Sequence, residues 1–157
     1  PRAWLVGEAE AVDGEEALRR IRGESKRAFD PRRTALLEVK PEELPALAGG
    51  ELLEASARIV TYEPSRLVIE TQAPRGAVLV VSEIIYPGWE ATVDGEAARI
   101  DTTDYLLRGV AVPAGAHRVE MRYRAPAARN GALISLFSLL LLGGLIVSAR
   151  RGGNRSA

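Results

Sequence analysis

The stretch Trp89-Glu90-Ala91-Thr92-Val93-Asp94-Gly95-Glu96-Ala97-Ala98-Arg99-Ile100 decides the fold class. Trp89, Ala91 and Val93 fall on one side of an extended chain and Glu90, Thr92 and Asp94 on the other, the alternation of a half-buried strand. Asp94-Gly95 supplies the left-handed backbone of a tight hairpin, so Glu96 to Ile100 is expected to return alongside. The pattern repeats in both directions. Upstream, Ala77 to Val81 is continuously apolar and reads as a central strand buried on both faces. Before it, Arg58 to Glu63 and Arg66 to Thr71 alternate and are joined through Pro64-Ser65 as a hairpin.

Downstream, Leu107 to Val112 is followed by Pro113-Ala114-Gly115, in which proline presets a turn and glycine accepts its exit. His117 to Arg124 then places Val119, Met121 and Tyr123 inward and Arg118, Glu120, Arg122 and Arg124 outward. Asp101-Thr102-Thr103-Asp104 reads as a polar loop. The first fifty residues are mixed. Trp4 to Val6 and Ala35 to Val39 look like strands, Gly14 to Arg22 has the spacing and acid-first charge order of a short helix, and Pro41 to Gly50 reads as a loop. The expected class is mainly β: an antiparallel β-sandwich, jelly-roll or immunoglobulin-like, with a short N-terminal helix and one C-terminal transmembrane helix.

That last helix rests on Gly131 to Ala149, GALISLFSLLLLGGLIVSA, 19 residues without a charge. At 1.5 Å per residue it spans roughly 29 Å, the thickness of a bilayer's hydrocarbon core. A water-facing helix of that length carries a polar face, and this one offers none. The chain of 157 residues therefore divides into an extracytoplasmic β-domain over 1–128, a membrane helix over 129–150 and a basic tail over 151–157. Arg150, Arg151 and Arg155 follow the span with no acid among them, and a short arginine-rich tail stays inside while a long domain translocates largely regardless of charge. The opening at Pro1, without an initiator Met or a signal peptide, leads us to expect more protein upstream.

Composition excludes several classes. The formal charge is zero, with 21 basic and 21 acidic residues, and three of the basic ones, Arg150, Arg151 and Arg155, lie beyond the uncharged run. The body has no concentrated basic face for nucleic acid. There is no cysteine, hence no disulfide and no thiolate metal site. No glycine-rich phosphate loop, nucleophile elbow or HExxH sequence occurs.

Few side chains stand out as chemistry. Tyr86 and Trp89 flank a Pro-Gly turn and are candidates for stacking on a sugar ring. The alternation of Trp89 with Ala91 and Val93 favours instead a core anchor. Arg124, Arg129, Arg150 and Arg151, with Arg122, are candidates for anchoring at lipid head groups. Asp94 has only Asp101 and Asp104 as nearby acids in sequence, too few oxygens for a hard cation. His117, the lone histidine, lacks an obvious orienting partner for general-base work. Neither a catalytic nor a metal residue is assigned.

The run Tyr86-Pro87-Gly88-Trp89-Glu90-Ala91-Thr92-Val93-Asp94-Gly95, then Arg108-Gly109-Val110 and Val112-Pro113-Ala114-Gly115-Ala116-His117-Arg118-Val119, resembles the C-terminal region of YfhO-type bacterial membrane proteins, as do Pro1-Arg2-Ala3-Trp4 and Phe29-Asp30-Pro31-Arg32. The resemblance implies a multi-spanning parent in the bacterial cytoplasmic membrane, similar to GT-C glycosyltransferases that use a polyprenyl-phosphate-linked sugar to modify cell-envelope glycopolymers. It implies acidic catalytic residues in early loops absent from this chain, and no cofactor held by the chain itself. The expected partners are the bilayer, the parent's upstream transmembrane core and an envelope glycan. The competing expectation is a single-span adhesion, scaffold or carbohydrate-binding module with no enzyme attached.

Overall fold

The computed structural model describes residues 1–124 together with Ser135, Phe137 and Ser138, which are helical. Pro1–Arg124 forms one compact unit and Ala125–Ala157 a second. Apart from those three residues, the expected membrane helix and basic tail, with Arg129, Arg150 and Arg151, lie outside the described residues. Among the described residues no helix is long and apolar enough to cross a membrane.

Within residues 1–124 eleven strands and one α-helix follow in order, with a single 3-10 turn at Pro41–Glu43 before the fourth strand: β1 (Ala3–Val6), β2 (Glu8–Ala11), α1 (Gly14–Ile21), β3 (Thr34–Leu37), β4 (Ser56–Glu63), β5 (Arg66–Ala73), β6 (Ala77–Ile84), β7 (Trp89–Val93), β8 (Glu96–Ala98), β9 (Asp101–Thr103), β10 (Leu107–Val112) and β11 (Gly115–Tyr123). One sheet runs β1-β6-β10-β9-β3-β2 and the other β4-β5-β11-β7-β8. Their inner faces meet in one core. Leu5, Leu79, Val81 and Val110 from the first sheet pack with Leu67, Ile69, Val119 and Met121 from the second. Burying each such side chain contributes about 2 kcal/mol.

β6 is buried on both faces, as its unbroken apolar run requires. Ala77, Leu79 and Val81 enter the inter-sheet core, while Val78 and Val80 join Val6, Ala35 and Leu37 in a second cluster, closed by Leu44 and Leu47 of the following loop. The β4–β5 and β7–β8 hairpins form as the sequence predicts. At the latter's turn Asp94 and Gly95 take φ 52° and 90°, the paired left-handed geometry that Asp-Gly tolerates.

Three expectations are corrected. The structure is not wholly antiparallel, because β2 and β3 pair in parallel and α1 is the crossover between them. β2, Glu-Ala-Glu-Ala, escaped notice since neither residue favours strands; its acids are held from outside. Glu8 accepts from the Thr34 hydroxyl at 3.1 Å and the Gly50 N–H at 3.1 Å. Glu10 pairs with Arg20 of α1 at 2.8 Å. The supposed polar loop at Asp101 begins as strand β9, and Thr103 and Asp104 are buried. The Asp104 carboxylate accepts the Leu36 N–H at 2.9 Å. Finally, His117 does have an orienting partner: its Nδ1 lies 2.5 Å from Asp94 Oδ2.

α1 begins where Asp13 accepts the Glu16 N–H at 2.8 Å. Glu15 and Glu16 sit in its first turn and Arg19 and Arg20 in its last, matching the helix dipole. Arg20 is buried between Glu10 and Glu16. The Glu16 carboxyl is drawn down to about 2, first by its hydrogen bond from Arg20 and then by that from Ser25.

At the opposite end of β7 from Trp89, His117 joins two turns. Its Nε2 lies 3.1 Å from the Ala114 carbonyl, and Asp94 also accepts the Arg118 N–H at 2.8 Å. With an acceptor at each ring nitrogen the imidazolium is favoured. The hydrogen bond that His117 donates to Asp94 leads in raising His117 above its ordinary 6.5, and that same bond leads in holding Asp94 below 3.8. The pair's contribution to stability is complete between those two values. It is lost in acid as Asp94 protonates below 3.8 and in alkali as His117 deprotonates above 6.5. His117→Gln is expected to abolish the decline above 6.5 in a pH series of urea unfolding midpoints; an unchanged alkaline limb would remove the dyad from the account.

Candidate functional site

The strand registers bring the notable side chains to one pole. Leu107 pairs with Ile84, Glu63 with Arg66, and Tyr123 with Trp89. β4, β6, β9 and β11 therefore end where β5, β7 and β10 begin. Between β6 and β7 the chain turns through Tyr86-Pro87-Gly88, with Gly88 at φ 104° and its carbonyl accepting the Arg124 N–H at 2.7 Å. This bond ties the turn to the last residue of the compact unit.

An aromatic group assembles there. Tyr123 lies 5.7 Å from Trp89 and 6.3 Å from Tyr86, centroid to centroid, both tilted. The other sheet contributes Arg108, whose guanidinium carbon lies 3.9 Å from the centre of the Trp89 ring. Arg108 is only 5% exposed. Its Nε and Nη2 both donate to the Ile84 carbonyl, at 3.1 and 3.0 Å, and no carboxylate of the described residues pairs with it. Burial lowers the pKa of its guanidinium from the ordinary value. A desolvated guanidinium on an indole face is a strong cation–π geometry.

Trp89 borders three concavities. One of about 560 Å³ runs along β7 and β11, with Glu90, Thr92, Glu120 and Arg124 on its walls. A second, about 300 Å³, lies between the sheets and includes Tyr62, Glu83 and Arg108. The third, about 370 Å³, includes Tyr86, Gly88, Ile100 and Thr102. The rims are cross-linked by charge: Arg124 pairs with Glu90 at 3.0 Å, Arg66 and Arg122 with Glu120 at 2.7 and 2.6 Å, and the Tyr62 hydroxyl donates to Glu83 at 2.6 Å. The Arg122 bond leads in holding Glu120 below its usual range. Hydrogen-bonding carboxylates and guanidinia around an aromatic wall suit a polyhydroxylated ligand.

Of the residues singled out in the sequence, Tyr86 and Trp89 do come together, across Tyr123. Tyr86 is 62% exposed. Trp89 is half-buried and packs against the core, so its anchoring role and its place on the site coexist. Arg124 is exposed and paired with Glu90. Asp94 lies at the far pole. Sequence reasoning missed Arg108 and Tyr123. A signal for Arg108 was present: in Leu107-Arg108-Gly109-Val110-Ala111-Val112 the cation occupies the inward phase shared by Val110 and Val112.

The family model for "Bacterial membrane protein YfhO" matches residues 48–135. A curated relative, "Uncharacterized protein YfhO" of Bacillus subtilis (strain 168), is 27% identical over 82 residues. The match takes in 52% of this chain and 10% of that relative, so the chain spans a small part of the relative's length. No solved structure matches the chain.

Proposed function

The chain belongs to the YfhO family of bacterial membrane proteins, and we propose from that premise that residues 1–124 are an accessory extracytoplasmic module of a polytopic, glycosyltransferase-like parent, holding an envelope glycan at the Trp89 pole. The observation that carries the reading is the position of Trp89. It offers one aromatic wall to three adjoining concavities whose rims are polar and charged. The chemistry of sugar transfer belongs to the parent's other regions, where a lipid-linked donor is used. This module contributes orientation of the acceptor. Its outer location is supported by the arginine-rich tail beyond the uncharged run Gly131 to Ala149.

The full chain reconstituted in lipid nanodiscs is expected to bind a fragment of envelope glycopolymer in calorimetric titration. Thr92→Trp, which fills the largest of the three concavities around Trp89 from its wall, is expected to weaken binding about tenfold, equivalent to roughly 1.4 kcal/mol. Arg124→Ala, an exposed rim change, should weaken it less while leaving the unfolding midpoint in place. Absence of binding to every envelope glycan tried would leave the competing adhesion or scaffold reading in possession.

A further inference from the structure

The pole that carries Trp89 also collects nearly all the exposed apolar bulk of residues 1–124. Tyr62, Ile84, Tyr86, Tyr105 and Leu106 are exposed there, with Ile84 at 64%. Ile21 stands beside Tyr105 and Leu106 on the wall of an apolar cleft of about 590 Å³, which Trp4 and Phe29 complete. Among large apolar side chains of this unit only Leu53 is exposed elsewhere. The opposite pole, at Asp94-Gly95 and Pro113-Ala114, shows none. Soluble surfaces rarely concentrate such residues without covering them.

Where the chain goes next says what covers them. It leaves the second sheet at Arg124, on this same pole, beside the Gly88 carbonyl. Six intervening residues then lead to the 19-residue uncharged run that begins at Gly131. Six residues reach at most about 20 Å even when fully extended. If the run is in lipid, this pole and no other is held at the bilayer surface. Its composition fits that depth. Tyrosines and short aliphatic side chains occupy membrane–water interfaces, flanked by arginines whose stems lie in the apolar layer and whose heads reach phosphates. Arg2, Arg32 and Arg124 are at this pole. Most acids there are engaged: Glu83 by Tyr62, Glu90 by Arg124 and Glu120 by Arg66 and Arg122, while Asp104 is buried and the exposed Glu63 feels the charge of Arg66.

We propose that this pole is a lipid-docking surface, with Ile84 and the Tyr105-Leu106 hairpin tip seated at the head-group level of the bilayer. The proposal rests on the membrane reading of the run at Gly131. It adds that the β-module lies against the lipid instead of standing off on a tether, and that the glycan concavities open just above the surface.

The absence of cysteine makes the test direct. Ile84→Cys and Leu106→Cys, with Glu96→Cys and Ala114→Cys at the far pole, are spin-labelled one at a time in the full chain. Each is placed in vesicles of phosphatidylethanolamine and phosphatidylglycerol. Labels at 84 and 106 are expected to collide with oxygen several-fold more often than with a water-soluble nickel chelate, and labels at 96 and 114 to show the reverse. Tyr105→Cys serves as a third reporter should either of the first two unfold the module. Water-like accessibility at 84, 105 and 106 in vesicle-bound protein would overturn the docking surface and leave the glycan reading standing, since calorimetry on the same variants scores that separately. A chain that washes off the vesicles would overturn both the docking surface and the membrane reading beneath it.

Discussion

Gly88→Ala is expected to destabilise the module by about 3 kcal/mol in urea unfolding and to abolish glycan binding at the Trp89 pole. Two causes add. The backbone at Gly88 has φ 104°, a region closed to side chains by clash with their own main chain. A Cβ built there also lies 2.5 Å from the Arg124 carbonyl and 2.9 Å from the Tyr123 ring, and neither neighbour is the free end of a flexible side chain. The strand end must separate from the turn, which undoes the Gly88–Arg124 bond and the ring cluster together. Gly95→Ala isolates the first cause: φ is 90°, yet nothing lies within 4 Å of the new carbon. It is expected to cost about 1 kcal/mol. Equal losses in the two variants would show that backbone strain alone, without the close approach, explains the requirement for glycine.

Asp104→Asn, by contrast, is expected to stabilise the protein by about 1–2 kcal/mol at pH 8. Asp104 is 7% exposed, and its Oδ2 is buried with no hydrogen-bond partner. Desolvation raises its carboxyl from 3.8 to about 6, against the smaller opposing effect of the Leu36 N–H. A group raised in the fold adds stability that is full below its unfolded value, here 3.8, and gone once pH has risen through about 6. Two pH units correspond to about 3 kcal/mol; the asparagine recovers less because its amide N–H must find an acceptor. Asparagine keeps the oxygen that receives the Leu36 N–H and tolerates the φ of 48° at this turn. The unfolding midpoint of the parent sequence should fall between pH 4 and 7 while that of the variant stays level. Parallel curves would mean that the carboxyl is already solvated or paired.

Much of the β-architecture was legible because its strands alternate with one face in the core, and because Asp94-Gly95, Pro64-Ser65 and Pro113 to Gly115 mark their joints. Ala77 to Val81 even announced its two-sided burial. What stayed hidden is what local pattern does not encode. The parallel β2–β3 pair depends on Glu8 and Glu10 finding Gly50, Arg20 and Thr34, contacts up to 42 positions apart. Asp94 lies at the β7–β8 turn and His117 on β11, 23 positions apart, and only the register of β7 on β11 introduces them. Arg108 was missed for a different reason: a cation on an inward phase reads as noise until the Trp89 ring is seen opposite it. Asp104 looked polar and therefore exposed, whereas its turn folds under and its carboxylate caps the start of Leu36.

The order of strands in the second sheet bears on when the molecule acquires its shape. β11 lies between β5 and β7, so the strand made last is the one on which that sheet closes. Until Tyr123 has emerged from the ribosome, the β4–β5 and β7–β8 hairpins have nothing to bridge them, and half the core is open to water. Only seven residues lie between Tyr123 and the uncharged run that begins at Gly131. A chain that stops short of β11 is therefore expected to leave the inner faces of both hairpins uncovered, the half-built state that proteases and chaperones engage.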